Sequence, residues 1–171
     1  MSRQNPTVII ALGGNAISPK NESGNIEKQF EHTRESLNAM MHFVNERYNI
    51  CITHGNGPQV GAELLKNEIT KDTIPSLPLG VLVANTQGAI GYMIQQTLQN
   101  ALQKKDVDRE VVTFISQVIV DKNDPTIKNP TKFIGKSYSK EEAFKLSDEF
   151  NWSIKEQESG IWRRVVASPN P

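Results

Sequence analysis

Two short segments place glycine and asparagine where an apolar run ends. The first is "LGGNA", with Gly13, Gly14 and Asn15; the second is "THGNGPQVG", with Gly55, Asn56 and Gly57. Glycine lets the backbone come close to a ligand. Unpaired N–H groups at such a turn, opening toward a helix, suit an anion such as phosphate. The Asn56 amide can add a side-chain donor toward a phosphate or carbonyl oxygen. Taken alone, "LGGNA" reads equally as an ordinary tight turn. It is not a dinucleotide fingerprint, because the G-x-G-x-x-G spacing is absent. His54 has no carboxylate close in sequence, so it is expected as a hydrogen-bonded structural residue rather than a base.

A third segment, "DKNDPTIKNPTKFIGKSY", spans 121–138. Lys132 is expected in a stiff, proline-containing loop, where it can serve as a point charge for a phosphoryl group. On composition alone a solvated surface lysine fits as well. "IGKS" at 134–137 is not a Walker loop, since Pro130 stands where the first glycine is required. Asp121 and Asn123 do not open a calcium loop, because Pro125 and Thr126 follow. No zinc-type Cys/His spacing and no serine elbow occur, and no metal ligands are assigned. Arg163 and Arg164 are adjacent, so only one is expected to face inward on a strand.

The bulk composition narrows the classes. Lys plus Arg and Asp plus Glu are 19 each in 171 residues. That balance lacks the basic excess of a nucleic-acid binder. The single cysteine, Cys51, cannot form an intramolecular disulfide and is expected as a small core hydrophobe. The apolar run after Thr7 is too short for a secretory signal or a membrane span, so a cytoplasmic protein is expected.

The elements that position these segments follow from periodicity. Strands are expected at 7–12, 49–53 and 110–120, the first as a buried parallel strand. Amphipathic helices are expected over 25–47, 59–68 and about 81–105, with a polar loop at 18–24. Strands alternating with helices give an open, mostly parallel sheet with helices on both faces. Ligands bind beyond the carboxyl ends of such strands, where both glycine segments fall. After Val120 a helix over 139–150 is expected, with Ser139 as N-cap and Glu142 completing a capping box. "NWSIKEQ" and "GIWRRVV" flank "ESG" and read as a hairpin. Residues 121–165 are therefore a small inserted α+β subdomain, and 166–171 return toward the main sheet.

Five segments in order, "ALGGNA", "THGNGPQVG", "TQGAIGYMIQQ", "QVIVDKNDPTIKNPTKFIG" and "WRRVVASPNP", resemble carbamate kinases. These belong to the amino-acid kinase superfamily of αβα sandwiches. The resemblance implies phosphoryl transfer between carbamoyl phosphate and ADP, giving ATP and carbamate, with Mg2+ accompanying the nucleotide. In the arginine deiminase route the reaction runs toward ATP. Such chemistry needs alignment and charge neutralisation more than covalent participation. By the family pattern, Gly13, Gly14 and Asn15 hold the phosphoryl or carbamoyl end, and Gly55, Asn56 and Gly57 line the opposite wall. Lys132 reaches in from the subdomain, and Lys132 and Asn15 are the catalytic candidates. Phe133 and Lys136 stand where the family usually has prolines, and Ala167 replaces another. The resemblance makes 1–120 the carbamoyl-phosphate side of an incomplete fold. It leaves the nucleotide site mostly to a C-terminal lobe beyond these residues, so the chain is expected to be inactive alone. It also implies a homodimer. The alternative is a non-catalytic carbamoyl-phosphate-binding or scaffolding module.

Overall fold

The computed structural model describes residues 5–18 and 25–171, without the Asn15 side chain. The loop expected at 18–24 therefore lies, from residue 19 onward, outside the described residues. The chain runs β1 (Thr7–Leu12), α1 (Gly14–Ile17), α2 (Ile26–Asn38), α3 (Met41–Asn45), β2 (Asn49–His54), α4 (Gly57–Thr70) and α5 (Leu79–Lys104). A single 3-10 turn (Pro125–Ile127), β3 (Lys132–Tyr138), α6 (Lys140–Phe150), β4 (Ile154–Glu158) and β5 (Ile161–Val166) follow. Two compact units result: residues up to Asn56 with Gln87–Phe114, and Gly57–Thr86 with Ile115–Pro171.

In the first unit β1 and β2 pair in parallel, in register from Thr7 opposite Asn49 to Leu12 opposite His54. Leu12, Ile17, Leu37, Met40, Met41 and Val44 form its core with Ile90, Met93, Ile94, Leu98 and Leu102 of α5. The Asn25 side chain caps α2 by accepting from the Lys28 N–H at 2.9 Å. The single helix expected over 25–47 is broken. Met40 N–H donates to the Leu37 carbonyl at 3.0 Å, a tightened turn that leaves both Met40 and Met41 buried.

Three expectations need correction in this unit. β1 is parallel but not buried on both faces, since Ile9 is 71% exposed. Side chains alternate across a strand, and only one face of this ribbon is covered by the core. Cys51, opposite Ile9 in the register, shares the open face and is exposed rather than a core residue. Residues 110–120 form no strand. Instead, side chains of α5 hold the start of this extended segment. Gln99 donates to the Arg109 carbonyl at 3.1 Å and accepts from the Val111 N–H at 3.0 Å. Thr113 Oγ1 donates to the Gly91 carbonyl at 3.1 Å. The apolar content that suggested a strand is real, but a strand also needs a ladder partner, and none occurs among the described residues.

The second unit joins α4, the first turns of α5, α6 and an antiparallel sheet of order β3-β5-β4. Val60, Leu64, Leu82 and Ile134 form its core. The expected hairpin is present as β4 and β5, with Gly160 at φ +76° in the turn. The capping box on α6 is also present: Ser139 N–H donates to Glu142 Oε2 at 2.9 Å, and Glu142 N–H donates to Ser139 Oγ at 3.3 Å. Lys132 differs from expectation. It opens β3, opposite Val166, rather than lying in a loop. Its ladder partner is remote in sequence, so no local pattern announces the pairing. No helix among the described residues is long and apolar enough to cross a membrane.

Candidate functional site

Each glycine segment follows a strand of the parallel pair. Gly13 is extended (φ −70°, ψ 163°) and precedes the short α1. Gly55 N–H donates to the Leu12 carbonyl at 3.3 Å, which ties the end of β2 to the end of β1. Gly13, Gly14, Gly55 and Asn56 therefore emerge side by side at the carboxyl edge of one sheet. A Cβ on Gly13 or Gly55 would meet nothing within 4 Å. Crowding does not demand glycine there, and Gly13 does not need a left-handed backbone. What glycine leaves at both positions is backbone without a side chain facing open space, which lets an anion come close to the peptide. The Asn15 side chain lies outside the described residues.

His54 ends β2, and its Nδ1 is buried with no hydrogen-bond partner among the described residues. The structural hydrogen bond expected for His54 is therefore not made at that nitrogen.

The other two candidates belong to the second unit. Gly57 opens α4, and a Cβ on it would lie 4.0 Å from the Phe133 carbonyl oxygen. Lys132, the neighbour of Phe133, is exposed. Both arginines of the adjacent pair are engaged. Arg164 Nη1 donates to Glu68 Oε1 at 2.7 Å, and Arg163 Nη2 donates to the Gly135 carbonyl at 2.7 Å. Adjacent strand residues point to opposite faces, and here each face offers a partner. Burial lowers the pKa of Arg163 from its ordinary value. Among the described residues no three His, Cys, Asp or Glu side chains gather as a metal site.

Sequence reasoning passed over Gly61, Glu68 and Gly135. The available signal was Gly61 itself: a glycine inside a helical pattern usually has a packing or functional reason. Its reason here is the backbone of Gly135, against which a Gly61 Cβ would clash.

The fold is similar to that of solved carbamate kinases. A carbamate kinase from Giardia lamblia, bound to citric acid, matches with TM-score 0.92 and 36% identity, covering 96% of this chain and 53% of that one. A structure of Giardia lamblia carbamate kinase bound to AMP-PNP matches with TM-score 0.79 and 36% identity, covering 98% and 53%. The fold is thus that of the carbamate kinases. In sequence, the carbamate kinase of Pyrococcus furiosus is 46% identical over 166 residues, which is 96% of this chain and 53% of that protein. The chain is homologous to carbamate kinases and corresponds to their N-terminal half. It spans about half the length of the curated relatives it matches. No protein-family model matches it.

Proposed function

We propose that this chain is the carbamoyl-phosphate side of a carbamate kinase, transferring a phosphoryl group between carbamoyl phosphate and ADP to give ATP and carbamate. The observation that supports this most is the pair of bare glycine backbones at the joined ends of β1 and β2. In this reading the N–H groups at Gly13 and Gly14 donate to the phosphoryl or carbamoyl oxygens, and the Gly55 backbone lines the site beside them. The side chains of Asn15 and Asn56 orient the carbamoyl end, and Gly57 lines the wall beside Asn56. Lys132 neutralises charge on the transferring group. A donor that meets charge developing in the transition state lowers the barrier without taking part covalently.

Residues 1–120 supply the substrate side, 121–165 the lysine-bearing subdomain, and 166–171 the return. Mg2+ would come with ADP or ATP and would supply neutralisation of the phosphate charge. The nucleotide is held mostly by residues outside this chain, so the chain alone does not turn over. We place the protein in the cytoplasm, as a homodimer in arginine breakdown.

The test is a pair of measurements on the 171-residue chain. Carbamoyl phosphate should shift the amide resonances of Gly13, Gly14 and Gly55 in a saturable NMR titration, and ADP-dependent ATP formation should be absent. Unmoved amides at saturating ligand would sink the substrate assignment. Robust ATP formation would sink the need for a second half.

A further inference from the structure

We propose that Gly61 and Gly135 are positioning residues that fix Lys132 relative to the first turn of α4. The proposal rests on the reading of Lys132 given above, but its geometry stands on the second unit alone.

Gly57, Gly61 and Glu68 lie four and then seven residues apart, a spacing that puts all three on one face of a helix. Each meets the antiparallel sheet or the turn that leads into it. Gly57 faces the Phe133 carbonyl. At Gly61 a Cβ would clash with the Gly135 Cα and nitrogen and stand 3.2 Å from the Ile134 carbonyl carbon. These are backbone atoms and cannot rotate away. Glu68 receives Trp152 Nε1 and Arg164 Nη1, both at 2.7 Å, and the Arg164 guanidinium lies 4.7 Å from the centre of the Trp152 ring.

β3 is shaped to accept this contact. Gly135 has φ +70°, a conformation strained for other residues, and the β3–β5 register shifts between Ile134 and Tyr138. Arg163 Nη2 then holds the Gly135 carbonyl at 2.7 Å. The strand that begins with Lys132 is thus seated on α4 by direct backbone approach at Gly61 and Gly135, flanked by the Val60, Leu64 and Ile134 side chains. A helix tolerates glycine in its interior only at a cost to its own stability. Here that cost is offset by a fixed distance from the α4 start to Lys132. Neither glycine touches substrate; both act through the lysine.

The test uses Gly61→Ala, Lys132→Ala and the double variant in the 171-residue chain, with Glu68→Gln as a gentler change should Gly61→Ala fail to fold. Without ligand, hydrogen exchange is read at Phe133, Ile134 and Gly135. Gly61→Ala should speed exchange there about tenfold and leave the β1–β2 amides unchanged. With carbamoyl phosphate as probe, Gly61→Ala should weaken binding about as much as Lys132→Ala, and the double variant no further. Unchanged exchange at the three amides overturns the seating of β3. Additive losses in the double variant overturn action through Lys132. A parent chain that fails to bind carbamoyl phosphate sinks the functional reading and the positioning role with it, while the exchange data still report separately on the seating. Glu68→Gln should move both readouts in the same direction by less, and no movement in either overturns the proposal.

Discussion

Lys132 stands exposed at the start of β3, and its value as a charge depends on where it is held. In a chain extended by a nucleotide-binding half, Lys132→Ala should lower kcat about a hundredfold, the usual cost of removing one donor to a transition state. Steady-state ATP formation from carbamoyl phosphate and ADP measures it, and near-normal turnover would remove Lys132 from the mechanism. At this scale the sequence is informative where the partner is near. Gly55 and Asn56 are visible because their strand and turn are contiguous. The capping pair Ser139 and Glu142 is visible because three residues separate them. Lys132 was misplaced in a loop because its partner Val166 is remote. Cys51 was misplaced in the core because strand composition does not say which face is covered.

At the scale of elements, two polar devices hold the second unit together. Glu68 joins α4 to β5 and to Trp152. Its side chain is only 17% exposed, as is that of Arg164, so water replaces the lost contacts poorly. Glu68→Ala should cost about 3 kcal/mol in a urea unfolding curve, by stranding one charge and one indole N–H. The second device is acidic. Hydrogen bonds from Ser139 hold Glu142 below the usual carboxylate range, and those from Thr126 and Asn170 do the same for Asp124. A folded-state pKa below the unfolded one means stabilisation that is full above the unfolded value and lost as pH falls through the folded one. The α6 amides and the Thr126 and Asn170 amides should therefore stay protected at neutral pH and lose protection in acid, below pH 4, which NMR against pH can follow. A loss beginning instead near pH 7 would contradict it. Helix α6 and the β4–β5 hairpin were legible because caps and turns are local signals. The expected strand at 110–120 failed because the segment has no ladder partner among the described residues, and it is tied to α5 by Gln99 on the Arg109 and Val111 backbone and by the Thr113 side chain on the Gly91 carbonyl.

At the scale of the molecule, apolar surface is concentrated where the chain lies open. Val112, Phe114, Ile115, Val118 and Ile119 are all exposed, Phe114 by 85% and Ile119 by 92%. An uncovered extended segment of this composition invites pairing with other chains. The 171-residue chain should self-associate with rising concentration, and Ile119→Lys should suppress this several-fold in light scattering by adding a charge to the edge. Equal scattering from both proteins would acquit the segment. The α/β class was legible from alternating strands and helices, and the fold matches that of a solved carbamate kinase. The extent of the covered surface was not, because burial depends on what packs against a face and not on its own composition. The open face of the β1–β2 ribbon also carries the lone thiol of Cys51, opposite Ile9. A maleimide dye therefore has a single point of attachment in this polypeptide, set on the very surface whose shielding is in question. The reactivity of that sulfur is a direct gauge of anything that comes to rest there.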